Sequence, residues 1–355
     1  MHLNTCAATG PIPQAFFTLP AGLAAEDPHT LPPNPAAETA QLRHHAARLY
    51  WVEDQGRTLA RCATGFRPDP GTAWLGFFAA RPYPEAAALL FAAAEADLRA
   101  QGIRTVLGPL NADTWHDYRL NLQPAGPPPF LREPWNPPDI PALWEQQGYE
   151  ICDRYLSARI RDLPAALDRL RPFRRRVERQ GGSFQPLNLR RFSAELDRLH
   201  ALSLTIFADN PHYTPIDPAA FRALYAPARP LLRPELCGFA IDAQGRDTGF
   251  VFAYPDQFQA LRAMRGRRSL AARLRYLRHR QKDRICIKSL GCTPAACGAG
   301  VAPALMAYCL EAAIALGASE ALMCLMHAAN DSRRLDGGTS EPFREYALYR
   351  KTLIP

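Results

Sequence analysis

Apolar and polar positions along the chain fall into two successive runs with the same outline. Residues 47–53 and 57–66 read as strands around the turn Asp54-Gln55-Gly56, and 72–79 as a third, together a meander. The alanine-rich stretch 84–100 is the strongest helical segment, stopped by Gly102, with a short strand at 105–108 after it. A proline-dense crossing at 124–138 leads to a short helix, 141–147, and a strand, 149–161. The outline then recurs. A strand at 183–187 precedes a helix at 193–208, on which Leu196, Leu199, Leu202 and Ile206 recur at three- and four-residue spacing. Strands follow at 235–242, 248–254 and 285–290, then a helix at 303–316 ended by Gly317, an apolar strand at 321–326 and a last strand at 346–353. This pattern predicts an α/β chain in two domains. Residues 1–40, rich in Pro and Ala, read as an extended lead-in, 41–162 as the first domain, 163–182 as a basic linker helix bent at Pro172, and 183–355 as the second domain.

Composition narrows the class. At 355 residues and 47% hydrophobic content the chain can bury two cores of ordinary size. Its formal net charge of +8 favours acidic partners, such as a phosphate-bearing cofactor, an acidic carrier protein or nucleic acid. The basic residues are concentrated: from Arg262 to Arg284 there are ten Arg or Lys and one acidic residue, Asp283. Such a run is either a solvated face or an electrostatic guide, and Tyr276 as its single aromatic argues against a dedicated single-strand nucleic-acid surface. Nine cysteines without a CxxC pair suit reduced thiols. The amino terminus has no basic, apolar leader, and no window reaches the length of a membrane span, so a cytoplasmic protein with no membrane partner is expected.

The chemistry concentrates in 284–302, RICIKSLGCTPAACGAGVA. A strand runs into Cys297-Gly298-Ala299-Gly300, which has almost no side-chain bulk, and a helix follows. Bare amides and the positive end of a helix dipole are suited to an anion such as a phosphate. A tight strand-to-helix turn without a ligand explains the same residues. Cys292 and Cys297 flank the loop, but no spacing completes a zinc site, and no metal is expected. Nor is a base visible beside Cys292 to make it an acyl-carrying nucleophile.

The order of strand, glycine loop, helix, apolar strand and then His327-Ala328-Ala329-Asn330-Asp331-Ser332 resembles the GCN5-related N-acetyltransferases (GNAT). The order Gly76-Phe77-Phe78, Gly108-Pro109-Leu110-Asn111, the stretch 136–150 and 207–215 (FADNPHYTP) resembles tandem bacterial members, in which the first repeat is degenerate and the second keeps the coenzyme A loop. The resemblance implies two tandem GNAT-like folds, each a mixed central sheet flanked by helices, with acetyl-CoA or another acyl-CoA bound only in the second. It implies cofactor contacts at Leu290, Gly291, Cys292, Cys297, Gly298, Ala299, Gly300, Val301, Ala302, Asn330 and Ser332. Asp209, Asn210, His212 and Tyr213 would line the acceptor pocket, with helix capping and core packing as the alternative for the same residues. His327 would deprotonate the amine directly or through water, an imidazole being suited to that near neutral pH, and Tyr346 or Tyr349 would protonate the leaving thiolate; a core or surface histidine and packed core tyrosines are the alternatives. This sequence departs from the family pattern at Ala295, where a Gln or Arg is usual, and lacks the tyrosine that commonly follows the Asn-x-Ser segment. The expected activity is N-acyl transfer, most simply acetyl, to a small-molecule amine. Transfer from tRNA or an acyl carrier protein, and a non-catalytic CoA-binding or scaffold role, stay open.

Overall fold

The structure, a computed structural model, describes residues 1–267, 269–330 and 335–353. The chain divides into two compact units, one of Met1–Arg154, Leu261–Leu277 and Glu345–Pro355, the other of Tyr155–Ala260 and Arg278–Arg344.

The stretch expected to be an extended lead-in is folded. It forms β1 (His2–Ala7), α1 (Ala15–Glu26) and α2 (Pro35–His44), with β1 paired antiparallel to β2 (Arg48–Asp54). Its prolines do not prevent this. Pro35 opens α2, where no intrahelical N–H is needed, and Asn34 caps that helix by accepting from the Ala37 amide at 3.3 Å. The meander continues through β3 (Arg57–Phe66) and β4 (Thr72–Ala80). Gln55 and Gly56 both take positive φ at the β2–β3 turn, the backbone that matches strand twist. Next come α3 (Pro84–Ala100), β5 (Thr105–Gly108), β6 (Leu120–Asn121) and α4 (Ile140–Gln146), with β5 parallel to β4. Phe78, Phe91, Trp144 and Tyr149 form the aromatic centre of this unit's core.

The strand β7 (Glu150–Ile160) ends the first half of the chain, and residues from Tyr155 belong to the second unit. There follow α5 (Leu163–Arg179), β8 (Ser183–Pro186), α6 (Phe192–Ile206), α7 (Pro218–Tyr225), β9 (Cys237–Ile241) and β10 (Asp247–Pro255). The helices α8 (Phe258–Met264) and α9 (Leu270–His279) precede β11 (Arg284–Cys292), the short α10 (Pro294–Cys297), α11 (Val301–Ala315), β12 (Glu320–His327) and β13 (Ser340–Thr352). The sheet of this unit runs β8-β9-β10-β11 antiparallel, then β12 parallel to β11 and β7 antiparallel to β12.

Both units therefore have one topology, and each is completed by a strand from the far end of the other half of the sequence. Tyr349–Thr352 of β13 pair with β5 in the first unit, whereas Tyr155–Ile160 of β7 pair with β12 in the second. The expectation that 149–161 closes the first domain and 346–353 the second is corrected to this exchange. The 163–180 segment, read as a linker, is α5, a full member of the second unit whose Leu163, Ala166, Leu167, Leu170 and Val177 are buried. Pro172 lies within it.

Candidate functional site

Hydrogen bonding between β11 and β12 extends only from Arg284↔Glu320 to Ile287↔Met323. Beyond Ile287 the strands part. On its other edge β12 pairs with β7 from Ala321 to His327, and that ladder carries a bulge between Met323 and Met326, where Leu325 takes a φ of +57°. On β11, Lys288, Ser289, Leu290 and Gly291 are consequently half-buried in a strand whose other edge is held by β10. A parted parallel pair leaves room for an extended amide-bearing chain between its strands.

The small-residue loop lies at the end of β11. One helical turn, α10, is followed by Gly298, exposed and with nothing within 4 Å of where a Cβ would stand. Gly300 has a φ of +82° and caps α11. A Cβ on it would come 3.0 Å from Phe173 Cδ1 of α5. The amides of the first turn of α11, Val301 and Ala302 among them, have no carbonyl partner inside the helix. Open space in front of a glycine loop, at a helix N-terminus beside a parted strand pair, fits the phosphates and amide arm of coenzyme A.

The structure brings Leu290, Gly291, Cys292, Cys297, Gly298, Ala299, Gly300, Val301 and Ala302 into this one region. Asn330 is exposed past the end of β12, its N–H donating to His327 O at 3.0 Å, and Ser332 lies outside the described residues. The segment expected to line the acceptor pocket is brought close as well. A Cβ on Gly291 would run into Ile206 at the end of α6, so the segment beginning at Phe207 starts directly over β11. Asp209 and Asn210 are exposed in it, and His212, at a φ of +60°, and Tyr213 are half-buried. Burial pushes the Tyr213 hydroxyl up, which keeps it protonated.

His327 ends β12 with Tyr155 edge-on to its ring at 5.1 Å. Its Nδ1 accepts the Ala329 N–H at 3.2 Å, a contact made by the tautomer with its hydrogen on Nε2. In that tautomer Nε2 offers a donor, so a role at the carbonyl oxygen stands beside the expected role as base. Tyr346 is wholly buried in the first unit, where its hydroxyl donates to Glu133, and Tyr349 donates to Glu145 at 3.2 Å. Both hydroxyls are thus held by carboxylates.

Cys292 and Cys297 lie with their sulfurs 3.0 Å apart. Burial, and then the Cys297 contact, push the Cys292 thiol up to about 12, so it is not a thiolate nucleophile. Cys292→Ala is expected to keep turnover within about threefold, and alkylating reagents should label the exposed Cys297 first. Loss of turnover in Cys292→Ala, with the protein folded, would contradict this.

Sequence reading missed α5 as a wall of the site. Phe173 lies against Gly300, and Arg169 and Arg176, four residues before and three after it, are exposed on the same helical face. The signal was present in the spacing of the arginines about Phe173.

The first unit shows the same parallel pair closed. β4 and β5 pair from Thr72↔Thr105 to Trp74↔Leu107, and the gap beyond is filled by the chain itself. Leu110 N–H donates to Leu75 O at 2.9 Å, Phe77 N–H donates to Asn111 Oδ1 at 2.6 Å, and a Cβ on Gly76 would run into the Leu110 carbonyl. Ahead of α3, where a phosphate loop would stand, Arg81 holds Glu26 through two bonds of 2.9 and 2.7 Å.

Comparison with known proteins agrees with this geometry. No protein-family model matches the chain. A curated relative, the bacterial ceramide synthase of Caulobacter vibrioides, is 26% identical over 273 residues, 71% of this chain and 69% of the relative. Among solved structures, a tandem GNAT protein from the clavulanic acid biosynthesis pathway is 13% identical with a TM-score of 0.55, covering 100% of this chain and 99% of that one. The glucosamine N-acetyltransferase region of a fungal multi-domain beta-N-acetylglucosaminidase is 12% identical with a TM-score of 0.55; the match covers 99% of this chain and 38% of the fungal one. The chain is built as a tandem GCN5-related acyltransferase fold, its first cleft closed by its own backbone and its second open.

Proposed function

We propose that the second unit catalyses N-acyl transfer from an acyl-CoA to a primary amine, and that the amine is a long-chain amino alcohol. The observation that carries the reaction class is the open β11–β12 cleft ending at the Gly298–Ala302 loop, set against the closed cleft of the first unit. The acceptor class rests on the likeness to a ceramide synthase, since a ceramide is the amide of a fatty acid with such an amine. It replaces the small-molecule amine as the favoured substrate.

An acyl-CoA supplies the acyl group as a thioester. The loop 298–300 and the first turn of α11 hold its phosphates, with Arg169 and Arg176 adding positive charge nearby, and the Lys288–Gly291 segment of β11 lies along its amide arm. Asp209, Asn210, His212 and Tyr213 bound the acceptor side. Amide formation joins nitrogen to the acyl carbon and breaks the carbon–sulfur bond; coenzyme A leaves as its thiolate, which takes up one proton for the one that nitrogen loses. His327, with its hydrogen on Nε2, serves as a donor to the carbonyl oxygen, and the amine proton leaves through water.

The test is an acyl-transfer assay crossing acetyl-CoA and palmitoyl-CoA with sphinganine and with small polyamines. Amide on sphinganine is the expected product. Acetylation of polyamines alone would overturn the acceptor class, and CoA binding with no turnover would turn the reading to a scaffold. Within that assay His327→Ala should lower turnover about 100-fold, while His327→Gln, which keeps an N–H donor, should retain most of it. Equal loss in both would make His327 a base after all.

A further inference from the structure

Leu270, Leu274 and Leu277 of α9 are 78%, 67% and 61% exposed, the three most exposed large apolar side chains among the described residues. At helical spacing they fall within an arc of about 60° and form one stripe. Ala272 on the opposite face is fully buried and Tyr276 half-buried, so the helix is seated by its other side. The segment is also anchored. Arg262 of α8 donates to the carbonyls of Ala24, Asp27 and Pro28 at 3.1, 3.1 and 3.2 Å. The leucines are therefore presented outward by a helix seated on its other face, next to the anchored α8.

Guanidinium groups frame them. By the same spacing Arg273 borders the stripe on one side and Arg278 on the other, and Arg265 and Arg267 precede the helix, all four exposed. Water is a poor partner for three adjacent leucines. A nucleic acid would take the arginines and leave the leucines wet. A second copy of this face would bring rows of like charge together. An anionic lipid surface satisfies both parts, its headgroups meeting the arginines and its acyl boundary the leucines.

We propose that α9 is an interfacial helix that lays its leucine stripe into the surface of an anionic lipid bilayer. This is attachment, not spanning: among the described residues no helix is long and apolar enough to cross a membrane. It departs from the expectation of no membrane partner. The surface is argued from residues outside the acyl-donor cleft, and its test uses no substrate, so its failure would leave the acyl-transfer reading standing.

The experiment is co-sedimentation of the full chain with vesicles of phosphatidylcholine, and with vesicles in which phosphatidylglycerol makes up roughly a third of the lipid. Binding to the anionic vesicles should exceed binding to the neutral ones by roughly tenfold or more and weaken with salt. Leu274→Ser with Leu277→Ser should lower it by roughly tenfold, and Arg273→Gln by severalfold, with unchanged thermal midpoints because these side chains are exposed. Absence of binding to either vesicle would overturn the proposal. So would binding that the leucine changes leave untouched, or a dimer in sedimentation velocity that those changes abolish.

Discussion

Gly298→Glu is expected to weaken acyl-CoA binding about 100-fold, about 2.7 kcal/mol, and to leave the thermal midpoint where it is. Gly298 has a φ of −72° and a ψ of −14°, which any residue adopts, and a Cβ there meets no heavy atom within 4 Å. The fold does not need glycine at this position. A ligand does, because a side chain would stand in the open space before the loop, and a carboxylate would also repel a phosphate. Gly300 is the contrast. Its φ of +82° and the nearness of Phe173 make Gly300→Ala strained whether or not a ligand binds, at about 1–2 kcal/mol. Isothermal titration with acetyl-CoA beside a melting curve separates the two effects. If Gly298→Glu binds like the parent, the loop is a structural turn and the donor site lies elsewhere.

The loop was legible because its signal is local. A β-branched strand, four small residues and an alanine-rich helix can be read from neighbours in sequence, and the helix expected at 303–316 is found as Val301–Ala315. The helix at 84–100 was read to the residue as Pro84–Ala100 for the same reason. Strand pairing across hundreds of residues was not legible. β7 and β13 have the alternation of sheet strands, but alternation states which face is buried, not which edge a strand joins. The parting of β11 from β12 was reachable only through the family likeness. The bulge at Leu325 lies in a run of apolar residues that reads as an unbroken strand. The contact of His327 Nδ1 with the Ala329 N–H is made by a turn that the residue types do not specify.

The N-terminal forty residues are where pattern reading failed most, and one charge pair explains how they are held. Arg61 lies on β3 with its side chain 6% exposed, and Glu38 of α2 meets it with 13% exposed. Its Nη1 donates to Glu38 Oε1 at 2.5 Å and to the Phe16 carbonyl of α1 at 3.1 Å, and the guanidinium lies 4.6 Å from the Phe16 ring centre. Burial draws the Arg61 pKa below its ordinary value, and Glu38 opposes that. Removing Glu38 would leave a buried cation without its counter-charge, so Glu38→Ala is expected to destabilise the first unit by about 3–5 kcal/mol, measured by urea unfolding. Replacing both partners, Glu38→Leu with Arg61→Met, should restore most of that loss, because no buried charge then remains. A cost below about 1 kcal/mol for Glu38→Ala would place the pair with ordinary surface bridges and leave α1 and α2 held by their other contacts. The prolines of this segment suggested a free arm, yet a glutamate at position 38 and an arginine at 61 make the same segment part of the sheet's support. A pattern of apolar positions cannot show that, since the decisive contact is between two charges 23 residues apart.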